Sequence, residues 1–189
     1  MNSRRVRLKL LILFLVCAAP IVAGYLVYYF WHPAAGMNYG ELIEPRALPD
    51  AALVTADGKP FALSTLRGKW ILLQADQGDC RAESCVRKLY DMRQSRLAQG
   101  KNMDRLERVW LLTDDAMPVA PQSELFEGMY LLRGDVATIL KQLPARVDAR
   151  DHIYLVDPAG NVMLRYPKDA DPKRMIRDLE RLLKYSSAG

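Results

Sequence analysis

The sequence predicts an α/β domain with a central mixed sheet, preceded by one N-terminal transmembrane helix. The first observation is an uncharged run from Leu10 to Trp31 that follows a short basic tail. The second is that apolar runs of strand length alternate with segments whose apolar residues recur every three to four positions. The third is a pair of hairpin signals, Asp57-Gly58 and Asp157 to Gly160. Alternation of this kind favours helices packed in layers on a sheet.

The apolar run predicts a membrane anchor over residues 10–31 and a cytoplasmic tail over residues 1–9. The run is long enough to cross a hydrocarbon layer of about 30 Å as a helix. Basic residues precede it and the next Lys or Arg is Arg46, so the charge asymmetry places everything after the anchor on the outer side. A cleaved secretory signal is the alternative, but its apolar core spans only about 7 to 15 residues. We therefore predict a single-pass protein with its N-terminus in the cytoplasm and its C-terminal domain outside the cytoplasm.

The elements after the anchor follow in order along the chain. Residues 32–49 are rich in proline and glycine and lack an apolar period, which predicts a linker. Residues 50–185 then predict the folded domain. Its predicted elements are a hairpin over 53–63, a strand over 70–75, a helix over 85–97, strands over 109–112 and 129–132, a helix over 136–143, a hairpin over 153–166 and a helix after Asp171.

The charge distribution argues against nucleic-acid binding. The whole chain carries a formal net charge of +5, but all 22 acidic residues follow the anchor, whereas four of the 27 basic residues lie in the tail. The exported part is therefore close to neutral. A nucleic-acid-binding domain would instead carry a clustered basic face, so we expect no nucleic-acid partner.

The candidate site is the pair Cys80 and Cys85, which lies between a predicted strand and a predicted helix. Two cysteines in an exported domain are too few for a disulfide scaffold. A helix N-terminus favours the thiolate, the form that attacks disulfides and binds metal; Arg81 supports this bias, whereas Asp79 and Glu83 oppose it. The residues leave three interpretations open, namely a redox-active dithiol, a soft metal site suited to Cu(I), or a structural disulfide.

Several motifs resemble the thioredoxin-like superfamily. They are the segments 57–63, 66–73 and 153–160, with the thiol pair at the start of the first helix of the domain. Within that superfamily the chain most resembles the Sco/SenC family of membrane-anchored cytochrome c oxidase assembly proteins. The similarities are the single anchor, the thiol loop, the strand end 111–115 and the pair Val147-Asp148 before segment 153–158. The resemblance implies a thioredoxin-like fold.

The resemblance also implies a copper site made of two cysteines and one histidine. The family has three residues between its cysteines, whereas this chain has four, and the family's histidine directly follows the Val-Asp pair, where this chain has Ala149. His152 is the candidate for a displaced third ligand beside Cys80 and Cys85, although positions 149 and 152 of an extended strand point to opposite faces. Asp114 and Asp115 are further candidates to orient a metal or partner, or else to cap a turn.

By resemblance, the predicted function is assistance to the assembly of the copper site of cytochrome c oxidase, by thiol–disulfide exchange or Cu(I) handling. The resemblance implies a location in a bacterial inner membrane, with the C-terminal domain in the periplasm. The implied partners are cytochrome c oxidase subunits or the proteins that load them with copper. One alternative is a general thiol–disulfide oxidoreductase of cytochrome c maturation. Another is a non-catalytic assembly scaffold whose cysteines form a structural disulfide. Trapping of a client on a single-cysteine variant distinguishes the exchange enzymes from the scaffold.

Overall fold

The computed structural model describes residues 3–30, 38–118, 123–145 and 147–186. The chain divides into two compact units, Met1–Met37 and Asn38–Gly189. The first contains helix α1, Ser3–Phe30. Within the described residues, α1 is the one helix long and apolar enough to cross a membrane, with a mean hydropathy of 2.2 over Arg7–Leu26. Trp31 of the predicted anchor and residues 32–37 of the predicted linker lie outside the described residues.

The second unit is built on one mixed sheet, which confirms the predicted fold class. Across residues 38–186, as far as they are described, its strands are β1 Glu41–Ala47, β2 Leu53–Thr55, β3 Pro60–Phe61, β4 Trp70–Asp76, β5 Leu106–Leu112, β6 Tyr130–Gly134, β7 Tyr154–Val156 and β8 Asn161–Arg165. Their order in the sheet is β1-β8-β7-β4-β5-β6-β2-β3. Strands β4, β5 and β6 run parallel, whereas β7 pairs antiparallel with β4.

Helices and short 3-10 turns connect and cover these strands. The helices are α2 Glu83–Leu97, α3 Ser123–Phe126, α4 Val136–Leu140 and α5 Pro172–Tyr185, and the 3-10 turns are Leu63–Leu66, Gly100–Arg105 and Ala149–Asp151. Helix α5 begins as its sequence predicts, because the Asp171 side chain accepts a hydrogen bond from the Lys173 amide and Pro172 occupies the first turn.

The core lies on both faces of β4, as its continuous apolar run predicts. Trp70 and Leu72 belong to a cluster that also contains both cysteines and the apolar faces of α2 and α5. Ile71 and Leu73 belong to a second cluster, which contains apolar residues of α4 and of the first hairpin. The alternation follows from the period of two along a strand. It places the thiol pair on the α2 side of the sheet.

Strand β1 is not predicted by the sequence, because it lies within the segment predicted as a linker. It is an edge strand of the sheet and pairs antiparallel with β8, with a register shift between Leu42 and Arg46. Just before it, the amides of Tyr39 and Gly40 donate to the buried Asp178 carboxylate of α5, at 2.7 and 2.9 Å. Its side chains are mostly exposed, so its pairing leaves no apolar period in the sequence. The folded unit thus begins at Asn38 rather than at residue 50.

Candidate functional site

Cys80 and Cys85 form a disulfide in the loop between β4 and α2, with their Cα atoms 5.4 Å apart. Strand β4 ends at Asp76 and α2 begins at Glu83, so the pair occupies the strand-to-helix junction that the sequence predicts. Cys80 is 2% exposed and Cys85 is fully buried. The sulfurs are close enough to share a bond, and a reaction partner reaches them only when the covering residues move.

The thiol loop is held by backbone contacts to the segment that follows β5. The Gly78 amide donates to Asp114 Oδ1 at 2.8 Å. A Cβ atom at Gly78 would lie 1.8 Å from the Ala116 carbonyl oxygen, so only glycine fits there. Asp114 therefore anchors the thiol loop by accepting from an amide 36 residues earlier in the chain, a contact that the sequence does not predict. The roles of metal or partner orientation for Asp114 and Asp115 stay predictions.

Cys80 has a backbone conformation that costs free energy. Its φ angle is +43°, and it is the one residue other than glycine with positive φ among those that the structure describes. A left-handed conformation costs a residue with a Cβ roughly 1–2 kcal/mol. The Cys80 amide donates to the Gln77 carbonyl at 3.2 Å, which closes a turn around this position. Strained backbone of this kind is found at functional sites, so the turn at Cys80 supports a chemical role for the loop.

Cys85 lies in the first turn of α2, where unpaired amides and the helix dipole favour an anion. The residue before the helix, Ala82, provides no side-chain cap to compete for those amides. Asp79 and Arg81 form an ion pair with each other at 3.0 Å, so their charges largely offset. The helix N-terminus therefore favours a Cys85 thiolate, whereas Glu83 in the first turn of α2 opposes it.

The buried Lys88 and the partly buried Asp76 form an ion pair that the sequence does not predict. Lys88 Nζ lies 2.8 Å from Asp76 Oδ2 and also donates to the Arg150 carbonyl. Lys88 is three residues after Cys85, so both side chains lie on one face of α2. The lysine joins the end of β4, the thiol helix and the 3-10 turn that contains Arg150. The available signal was a lysine at helical spacing from Cys85, beside the apolar Leu89.

His152 lies just before β7 and lines a cleft of about 270 Å³ together with Glu41, Arg165 and Lys168. Its Nδ1 is 2.8 Å from the Tyr166 carbonyl oxygen. Because a carbonyl only accepts, Nδ1 carries the proton and Nε2 holds the lone pair of a neutral ring. Burial lowers the pKa of His152 below its ordinary value, against the opposing effect of the hydrogen bond to Tyr166. The ring is therefore neutral at pH 7.

The three predicted metal ligands do not form one group. Neither cysteine lines the His152 cleft. Among the described residues, no group of three or more His, Cys, Asp or Glu side chains is placed to hold a metal ion. Both sulfurs are engaged in the disulfide, which leaves no thiolate donor. This arrangement does not fit a three-ligand copper site, and the metal role of Cys80, Cys85 and His152 stays a prediction.

A family model described as "Transmembrane-like, thioredoxin-like, C-terminal domain" matches residues 70–186. The match covers β4, the thiol loop and α2, and continues through α5. No curated protein sequence matches the chain.

Solved structures show the same fold at low sequence identity. Copper-bound ScoI from Bradyrhizobium japonicum is 21% identical, with a TM-score of 0.54 over 72% of this chain and 99% of its own. Copper-bound yeast Sco1 is 18% identical, with a TM-score of 0.62 over 76% of this chain and 96% of its own. The thioredoxin domain of a thiol-disulfide oxidoreductase from Bacteroides vulgatus is 16% identical, with a TM-score of 0.55 over 76% of this chain and 99% of its own. The predicted thioredoxin-like fold and its likeness to Sco proteins are confirmed.

Proposed function

Because this chain belongs to the transmembrane-like, thioredoxin-like family, we propose that it is a membrane-anchored protein that performs thiol–disulfide exchange through Cys80 and Cys85. The observation that carries the proposal is the disulfide at the junction of β4 and α2. The helix N-terminus at Cys85 favours the reduced pair, and the positive φ angle of Cys80 marks a strained turn of the kind found at functional sites. A disulfide with these features suits exchange better than a permanent structural role.

The exchange transfers two electrons between the protein and its client, and no chemical group is transferred. In the reduced protein, the Cys80 thiolate attacks one sulfur of a client disulfide, and the other client sulfur leaves as a thiolate. Cys85 then attacks Cys80 in the mixed disulfide and releases the second client sulfur. The client gains two electrons, and Cys80–Cys85 becomes a disulfide. Run in reverse, the same steps oxidise a client dithiol. We assign the attack to Cys80 because it lies in the loop, whereas Cys85 is fixed in α2.

The client that we propose is the copper-bearing subunit of cytochrome c oxidase, or a protein that loads it. The resemblance to the Sco/SenC family and the shared fold with copper-bound Sco structures support this choice. We propose that α1 anchors the chain in a bacterial inner membrane with the second unit in the periplasm, since the basic residues precede the apolar run. An anchor raises the effective concentration of the thiols near a membrane-embedded client.

A Cys85→Ala variant is the direct test of exchange. Without the resolving thiol, the mixed disulfide between Cys80 and a client persists, so we expect a covalent adduct on a non-reducing gel that disappears on reduction. The full chain is expressed with Cys17→Ala, because Cys17 is the free cysteine of α1. The Cys80→Ala variant in the same background is the matched control and should trap several-fold less. If neither single-cysteine variant traps a protein, exchange is excluded and the structural disulfide is favoured.

Cu(I) handling is the second candidate function, with copper as a cargo. Two adjacent thiolates are soft donors suited to Cu(I), and structures of the same fold hold copper. We expect the reduced full-length protein in detergent to bind one Cu(I) in an anaerobic titration, and the Cys80→Ser/Cys85→Ser variant to bind none. His152→Ala should leave the affinity unchanged if the two sulfurs act alone. A tenfold loss of affinity would instead assign His152 as a third ligand, and binding equal to that of the double variant would exclude the cargo role.

A further inference from the structure

A second polar cleft, distinct from the one that His152 lines, lies against the C-terminal half of α2, away from the thiols. Its volume is about 260 Å³. It is lined by three arginines and one glutamate, Arg93, Arg96, Arg108 and Glu127, with the apolar Leu97 and Met103 beside them. We call these six residues the arginine cleft. Arg93 is two helical turns after Cys85, about 12 Å along the helix axis, so the cleft is not part of the thiol site.

The cleft contains a buried guanidinium without an ion-pair partner. Arg108, on β5, is 3% exposed. Its Nη1 donates to the Leu125 carbonyl at 2.9 Å and its Nη2 donates to the Glu127 carbonyl, whereas its Nε has no hydrogen-bond partner. No described residue forms an ion pair with it. A buried charge that is bonded only to neutral groups is costly, so a counter-ion at this place would stabilise the protein.

The neighbouring charges add to the positive potential. Burial, together with the positive charges of Arg96 and Arg93, lowers the pKa of Arg108 to about 10, whereas the carboxylates of Glu107 and Glu127 oppose this effect. Arg93 and Arg96 are three residues apart on α2 and therefore share one face of the helix. Arg96 Nε donates to the Leu106 carbonyl at 2.7 Å, which holds that guanidinium beside β5. The lining carries three positive charges against one negative charge.

We propose that the arginine cleft binds an anion that bears a phosphate group, with an apolar substituent against Leu97 and Met103. Guanidinium groups present paired N–H donors that match the oxygens of phosphate, and three of them converge here on one small volume. Glu127 also lines the cleft, and its side chain is exposed. Its carboxylate lowers the net positive charge of the cleft but does not fill the space beside the arginines. The phosphate group can belong either to a phospholipid headgroup or to a soluble phosphate ester.

The test uses the full-length protein in a detergent that contains no phosphate. Glycerol 3-phosphate is titrated calorimetrically as the soluble probe, and phosphatidylglycerol is added to delipidated protein and counted by native mass spectrometry as the lipid probe. We expect at least one probe to bind. Binding of both probes or of phosphatidylglycerol alone assigns a lipid headgroup, whereas binding of glycerol 3-phosphate alone assigns a soluble ester. Binding of neither probe overturns the proposal.

Matched variants separate the cleft from general charge attraction. Arg93→Gln removes one cleft charge and no described hydrogen bond, so we expect binding to weaken at least tenfold, as for the loss of a charge-assisted hydrogen bond. Lys141→Gln removes the same charge from an exposed position outside the cleft and should change binding less than twofold. Equal losses in the two variants overturn the proposal. Tighter binding of a glutamate-rich peptide than of either probe also overturns it, because the cleft would then recognise a protein carboxylate.

Discussion

Replacement of Lys88 by methionine is expected to lower the free energy of unfolding by about 3 kcal/mol, the range found when one partner of a buried ion pair is removed. Methionine keeps most of the length of the side chain but leaves the Asp76 carboxylate without its cation and the Arg150 carbonyl without its donor. The measurement is denaturant unfolding of the full chain in detergent, followed by the fluorescence of the buried Trp70 and Trp110.

The ion pair itself is isolated by a double-mutant cycle. Asp76→Asn removes the carboxylate charge, and the variant with both changes leaves no unpaired charge. We expect the double variant to be less destabilised than the sum of the single variants, with a coupling of at least about 1 kcal/mol. Lys141→Met, the same substitution at an exposed lysine, is the control and should change the free energy of unfolding by about 0.5 kcal/mol or less. Simple additivity would show that Lys88 contributes by packing rather than by charge.

The same Lys88→Met variant also reports on the thiols. Lys88 lies one helical turn from Cys85 and offsets the Asp76 carboxylate, so its loss leaves a negative charge that disfavours the thiolate and therefore the dithiol. We therefore expect a larger fraction of the variant than of the wild type to keep the Cys80–Cys85 disulfide at a given ratio of reduced to oxidised glutathione. A purely structural role of Lys88 would leave this fraction unchanged. If the redox equilibrium is unaltered and the stability is lowered, Lys88 contributes to the stability of the fold and not to the redox state of the cysteines.

Replacement of Gly78 by alanine is the second change with a large expected effect. The new Cβ would meet the Ala116 carbonyl oxygen at 1.8 Å, so either the thiol loop or the segment after β5 must shift. We expect the free energy of unfolding to fall by about 2–3 kcal/mol, as for the insertion of an atom into a closely packed site. We also expect faster reduction of Cys80–Cys85 by dithiothreitol, because the shift uncovers a disulfide that is now buried.

Gly100→Ala is the matched control for Gly78→Ala. Gly100 has a φ angle of +54°, and a Cβ atom added there would have no neighbour within 4 Å, so its substitution tests conformational strain without a contact. We expect a cost of about 1 kcal/mol and an unchanged rate of disulfide reduction. If Gly78→Ala costs no more than this control and leaves the reduction rate unchanged, the contact with Ala116 does not hold the thiol loop closed.

The strand-to-helix junction was predictable because its signals are local. The apolar run at Trp70, the amphipathic period of α2 and the two cysteines between them are all visible in the sequence. Strand β1 was not predictable in this way. Strand β1 is held in place by pairing with β8 and by the hydrogen bonds of Tyr39 and Gly40 to Asp178, a residue far along the chain. Long-range pairing of an exposed edge strand leaves no periodic pattern.

The amino-acid sequence alone determined the alternation of the main strands and helices after β1, the apolar N-terminal helix and the position of the thiol pair, since each depends on neighbours within a few residues. Tertiary structure alone decided that Lys88 pairs with Asp76, that Ala116 covers Gly78, and that His152 lines a cleft that neither cysteine lines. These three facts depend on contacts between segments distant in the chain. Local propensity and spacing carry no record of such contacts, because they arise only when the sheet brings the segments together.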